Sequence, residues 1–95
     1  MEKKKVIVRG DRSGVFFGTL ESRNGQEVKL FNCRKLFYWD GAAAVEQLAV
    51  NGTTRPEECK FTVVVPESEI LDAIQILPCS EEAIISIENV KIWSR

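Results

Sequence analysis

The residues best equipped to hold a ligand gather in one stretch, residues 28–41 (VKLFNCRKLFYWDG), where four of the chain's eight aromatics stand with an amide and the adjacent cations Arg34 and Lys35. Phe37, Tyr38 and Trp39 offer π faces to a base, while Arg34 and Lys35, with Arg9 from further up the chain, offer charge-assisted hydrogen bonds to a phosphate. Asn32 adds a donor and an acceptor. Strand alternation puts Leu36 and Tyr38 on one face and Phe37 and Trp39 on the other, so that one aromatic pair can be core while the other lines a groove. The same run also reads as a core strand or a subunit interface with a solvated rim, and periodicity does not separate these readings. Arg9, Asn32, Arg34, Lys35, Tyr38 and Trp39 form the candidate ligand-binding set.

Other chemistry is removed by composition. The chain contains no histidine, which excludes a Ser-His or Cys-His nucleophile pair and a histidine-based metal centre. The carboxylate pairs Glu57-Glu58, Glu67/Glu69 and Glu81-Glu82 stand beside a proline or at a helix start, where solvated loops and first-turn carboxylates are the ordinary reading. Cys33, Cys59 and Cys79 are odd in number and lack CxxC spacing, so neither a disulfide framework nor a zinc site is indicated. Cys79, just before a predicted helix start, has better geometry for a lowered pKa than Cys33 beside Arg34-Lys35, but buried thiols are expected at both. The expectation is a non-enzymatic protein with no catalytic residue, cofactor or metal.

Ninety-five residues suffice for one domain, and 44% apolar with 28% charged residues is the composition of a soluble globule. The net charge of -1 conceals an asymmetry: residues 1–40 carry nine Lys/Arg against five Asp/Glu, and residues 41–95 carry four against nine. Mutual screening within the fold or between subunits accounts for this, as does a basic pocket for an anion. Duplex DNA binding is not expected without an overall basic excess. Glu2 and Lys3 to Lys5 look like a short charged leader, yet Val6 to Val8 is too brief for a signal peptide's apolar core, and no stretch spans a membrane. A reduced, cytoplasmic setting follows.

The elements that must position these residues read as follows. Lys5 to Arg9 is a β-branched strand suited to burial on both faces, and the following GDRSG is a turn-rich loop. Residues 15–23 and 27–33 form a hairpin around Asn24-Gly25, with an odd-length loop favoured because it pairs Leu20 with Leu30 and opposite charges with each other. Gly18 marks a sharp bend or close packing against an aromatic such as Phe31. Asn32 to Lys35 is a bulge or corner before a further strand, residues 36–39. Residues 42–50 form the clearest helix, with Asp40 as candidate N-cap and Asn51-Gly52 as its stop. Residues 61–65 are a strand with Pro66 starting a turn, residues 73–77 another strand, and Ser80 caps a short helix to about Ile87. Residues 90–93 form a final strand or tail.

Val6-Ile7-Val8-Arg9, Gly14-Val15, Gly18-Thr19-Leu20, Gly25-Gln26-Glu27-Val28-Lys29-Leu30, Asn32-Cys33-Arg34, Trp39-Asp40-Gly41-Ala42, Leu48-Ala49 and Ile76-Leu77-Pro78-Cys79 together resemble a family of small proteins of unknown function encoded mainly by tailed phages and prophages. That resemblance brings no catalytic residue. It implies action by binding, and by analogy with small phage proteins an oligomeric anti-defence sponge that sequesters a nucleotide immune signal.

The fold expected is a small α+β domain: a bent antiparallel β-sheet or barrel, Sm-like or SH3-like, with one clear helix and a short second one. The leading functional expectation is binding of a small nucleotide-like anion by a homo-oligomer. Its rivals are a protein-protein interaction module targeting a host or phage protein, and an RNA-binding small barrel.

Overall fold

A computed structural model describes residues 3–94; Met1, Glu2 and Arg95, with the start of the leader-like segment, lie outside the described residues. The β-branched run of β1 (Lys5–Gly10) is buried on both faces as its composition requires, Ile7 facing one apolar cluster and Val6 and Val8 the other. β1 pairs antiparallel with β2 (Val15–Asn24), and β2 with the long β3 (Glu27–Tyr38).

The hairpin turn differs from the expected odd-length loop. Asn24 stands opposite Glu27, leaving a two-residue turn in which Gly25 has φ 62°. Positive φ at the first central position is the requirement of a type II′ turn, whose twist matches the flanking strands. The expected Leu20–Leu30 pair nevertheless forms, because the ladder shifts between Leu20 and Ser22. Glu21, at that shift, pairs with Lys3 instead of Lys29. A second shift sets Gly18 against both Asn32 and Cys33, with Asn32 at φ 51°. The expected interruption at residues 32–35 is thus a bulge within one continuous strand. A Cβ on Gly18 would lie 3.0 Å from the Phe31 carbonyl oxygen and 3.2 Å from the Cys33 Cα. This close approach lets the two strands bend together.

The far edge of β3 is shared. Its first half pairs with β5 (Val65–Ile70) and its end with the short β4 (Lys60–Phe61). Pro66 therefore lies inside an edge strand and does not start a turn; the ladder steps from Phe31–Glu67 to Cys33–Val65 and passes over it. β6 (Ala73–Pro78) joins the other side of the sheet by pairing with β1, giving the order β4-β3-β2-β1-β6 with β5 also on β3. Only Leu71 and Asp72 separate β5 from β6, yet the two do not pair, so the sheet is bent but not closed into the expected barrel.

Both helices belong to one apolar cluster. α1 (Val45–Asn51) supplies Val45, Leu48 and Ala49, and α2 (Glu81–Glu88) supplies Ile87, against Ile7, Phe17, Leu36 and Phe61 from the strands. The second cluster, Val6, Val8, Val28, Leu30, Cys33, Ile70 and Ala73, comes from strands and the ends of strands, which meet because the sheet curls. α2 begins as expected, the Ser80 hydroxyl accepting from the Ala83 N–H at 3.1 Å. α1 starts later than expected, and Asp40 is not its cap. The Asp40 carboxylate accepts from the Gly41 N–H at 2.7 Å and meets Arg55 at 3.3 Å, while Ala44 holds the cap position. Gly41, at φ 83°, turns the chain where a Cβ would sit 2.6 Å from the Arg55 amide nitrogen.

The turn-rich loop after β1 also has a definite job. Asp72 accepts from the N–H groups of Arg12 and Ser13 at 2.8 and 3.0 Å and from the Ser13 hydroxyl at 2.6 Å. The loop is an amide nest filled by the chain's own carboxylate, which fastens the β5–β6 link to the end of β1. These bonds, led by the Ser13 hydroxyl, hold the Asp72 pKa below its ordinary value.

Candidate binding surface

Arg34, expected to anchor an anion, is a structural clamp. The residue is only 4% exposed. Its Nε donates to the Thr62 carbonyl at 3.0 Å, one terminal nitrogen donates to the Ile87 and Val90 carbonyls at 3.0 Å each, and the other to Phe61 at 3.2 Å. The guanidinium lies 5.4 Å from the centre of the Phe61 ring. Burial lowers its pKa. No basic residue stands in the last turn of α2, and Arg34 brings a cation from β3 to that negative helix end. Strand parity held the clue: Arg34 shares the face of Leu36, which is core.

The other five candidates do not converge on it. Arg9 is exposed on β1 between its partners Val15 and Gln75. Asn32 is exposed at the bulge, and the Lys35 ammonium lies 5.7 Å from the Phe16 ring centre. Trp39 packs against the helix-side cluster, on the same side as Leu36 and away from Phe37. The expected Phe37–Trp39 face is split because β3 ends at Tyr38 and the corner at Gly41 redirects the chain. Tyr38 is exposed at the end of β3, opposite Lys60.

A different constellation forms instead. Phe37, 57% exposed, stacks on Trp93 with ring centroids 5.1 Å apart and planes 13° from parallel. The Lys60 ammonium stands 5.6 Å from the Trp93 ring centre. The tail carrying Trp93 is tied down: Ile92 bridges to Phe61, and the Trp93 N–H donates to the Phe61 carbonyl at 2.8 Å. Beside this platform lies a hollow of about 490 Å³ lined by Pro56, Glu57, Cys59, Lys91, Ile92 and Trp93, among others. Sequence reading passed over Ile92 and Trp93 because the tail showed no periodicity, and over Lys60 because it closes a polar loop; the isolated Trp in KIWSR was the available signal.

Neither of the two cysteines weighed as nucleophiles is activated. Desolvation pushes the Cys33 thiol up to about 11 and the Cys79 thiol up to about 11. The charge asymmetry is met in part within the fold, since Lys5 pairs with Glu88 and Lys29 with Glu67, the latter raising the Lys29 pKa.

The fold and this surface define a small α+β domain with an exposed, stacked aromatic pair flanked by Lys60. The chain belongs to the family described as domain of unknown function (DUF6948), whose model matches residues 3–87. No curated protein and no solved structure matches it. The matched region includes Phe37 and Lys60 but stops before Ile92 and Trp93, so half of the platform stands outside it. Among the described residues, no helix is long and apolar enough to cross a membrane.

Proposed function

We propose that this chain is a non-enzymatic interaction module that binds another protein through the Phe37–Trp93 platform and its adjoining hollow. On the phage origin that the sequence resemblance suggests, the partner is a host or phage protein met in the host cytosol. The observation that carries this reading is the exposed, stacked aromatic pair beside a hollow lined by Pro56, Ile92 and Trp93. Exposed aromatics with an adjoining pocket are the usual anchors of protein interfaces. The test places a photo-crosslinker at Tyr38 and asks whether one protein is captured, and whether Phe37→Ser abolishes capture without lowering thermal stability. Capture that survives Phe37→Ser and Trp93→Ser together sinks the reading.

A second reading, sequestration of a small nucleotide-like anion as an anti-defence sponge, is favoured by one observation. The Lys60 ammonium stands over the Trp93 ring and Lys91 lines the adjoining hollow, so a base on Phe37 with its phosphate at Lys60 is chemically compatible. It no longer runs through Arg34. A nucleotide at a hundredfold over its dissociation constant would raise stability by about 2.7 kcal/mol. A rise in melting temperature with cyclic or linear nucleotides, lost in Lys60→Ala, would support this reading over the first.

A further inference from the structure

The C-terminal tail is fastened up to one residue and lightly held beyond it. Val90 is buried, its N–H donates to the Ile87 carbonyl at 3.3 Å, and its own carbonyl accepts from Arg34 at 3.0 Å. From Lys91 on, the described residues are exposed. A parallel bridge sets Ile92 beside Phe61, the Trp93 N–H donates to the Phe61 carbonyl at 2.8 Å, and the indole meets the Phe37 ring and the Lys60 ammonium. One hydrogen bond, one exposed stack and one cation–π contact do little more than offset the entropy of fixing three residues. Release of the tail strands no acceptor at this seat, because the Phe61 carbonyl keeps an Arg34 terminal nitrogen at 3.2 Å. The matched family region ends at residue 87, before the tail begins, while Phe37, Lys60 and Phe61 lie inside it.

We propose that the seat taken by residues 91–93 is a strand-addition site, and that its partner is an extended segment, an aliphatic residue followed by an aromatic one, which replaces the tail. On the reading of this surface as a protein-binding one, on which this rests, Trp93 is a resident stand-in for a partner's ring. The tail itself shows what the seat accepts. Its occupant runs parallel to β4, gives one N–H to the Phe61 carbonyl, and lays a ring on Phe37 within reach of Lys60. Ile92 precedes that ring at the wall of the hollow. Strand alternation sends the aliphatic side chain and the ring to opposite faces, so a two-residue signature is read on both. Being attached, the tail competes at an effective concentration of about millimolar. An incoming segment must therefore gain a contact that the tail lacks. The hollow of about 490 Å³ supplies it, because the tail borders this space without filling it. An apolar side chain set between Pro56 and Cys59 buries area that the tail leaves open.

Titration of the acetylated, amidated tetrapeptide KIWS, the sequence of residues 91–94, tests the seat through amide chemical-shift changes. The peptide is expected to bind the Trp93→Ser chain at least tenfold more tightly than the wild type, with shifts at Phe37, Lys60 and Phe61. Binding should be lost when Phe37→Ser is added, and lost for the same peptide with serine in place of its tryptophan. Both chain substitutions fall on exposed side chains, and unchanged circular dichroism spectra check that the variants fold. Equal binding to Trp93→Ser and wild type, or none to Trp93→Ser, overturns the proposal. The crosslinker at Tyr38 separates this exchange from the reading beneath it. With exchange, Trp93→Ser should raise capture at least threefold while Phe37→Ser abolishes it. Loss of capture in both variants leaves the protein-binding reading standing and overturns the exchange, since Trp93 is then a contact for the partner. Capture indifferent to both substitutions overturns the two together.

Discussion

Arg34 shows how a charged side chain can be bound by architecture instead of by a ligand. Four carbonyls from three segments, Phe61-Thr62, Ile87 and Val90, take its hydrogen bonds, and truncation would remove all four at once, with only the Phe61 and Ile87 carbonyls keeping a backbone donor, from Trp93 and Val90. Arg34→Ala should destabilise the fold by about 3 to 5 kcal/mol, measured by urea denaturation at neutral pH. Arg34→Lys should recover less than half of that, since a lysine cannot reproduce the planar fork. The thiols give a second expectation at this scale. With Cys33 and Cys79 both pushed to about 11, alkylation of the native chain at neutral pH should be far slower than that of the denatured chain. Rapid labelling of either would contradict the burial that sets those values.

At the scale of elements, the bend shared by β2 and β3 depends on the bulge that Asn32 and Cys33 make against Gly18. A methyl group at Gly18 meets backbone atoms of the neighbouring strand, which cannot step aside as a flexible side chain would. Gly18→Ala should therefore cost about 1 to 3 kcal/mol, read as a lower denaturation midpoint. The link between β5 and β6 gives a pH-dependent counterpart. Asp72 has a lowered pKa in the folded chain, so its contribution is present above the ordinary value of 3.8 and lost as pH falls through the lower folded value. Asp72→Asn should accordingly be less stable than the wild type at neutral pH. The gap should close as both are acidified below about pH 4.

Across the whole molecule, the apolar residues divide between a helix-covered face and a curled, helix-free face. The curl leaves the two ends of the sheet joined in sequence at Leu71-Asp72 without pairing β5 to β6, and it brings the hairpin tip to β6, where the Gln26 carbonyl accepts from the Ala73 N–H at 3.0 Å.

Local chemistry was enough for the β-branched β1, the Ser80 cap, the strand at residues 73–77 and the Asn51-Gly52 stop, because each depends on contacts within a few residues or on one backbone preference, while Gly18 was legible as the one residue small enough for a close strand approach. The sequence by itself therefore determined a small α+β domain with a bent antiparallel sheet. Only the tertiary structure decided that carbonyls from distant segments meet Arg34, that Trp39 leaves Phe37 for the core, that Trp93 returns from the tail to stack on Phe37, and that the sheet stays open. Each of these rests on contacts between residues far apart in the chain. A side chain's facing is legible from alternation only until a bulge or corner, such as those at Asn32 and Gly41, resets it.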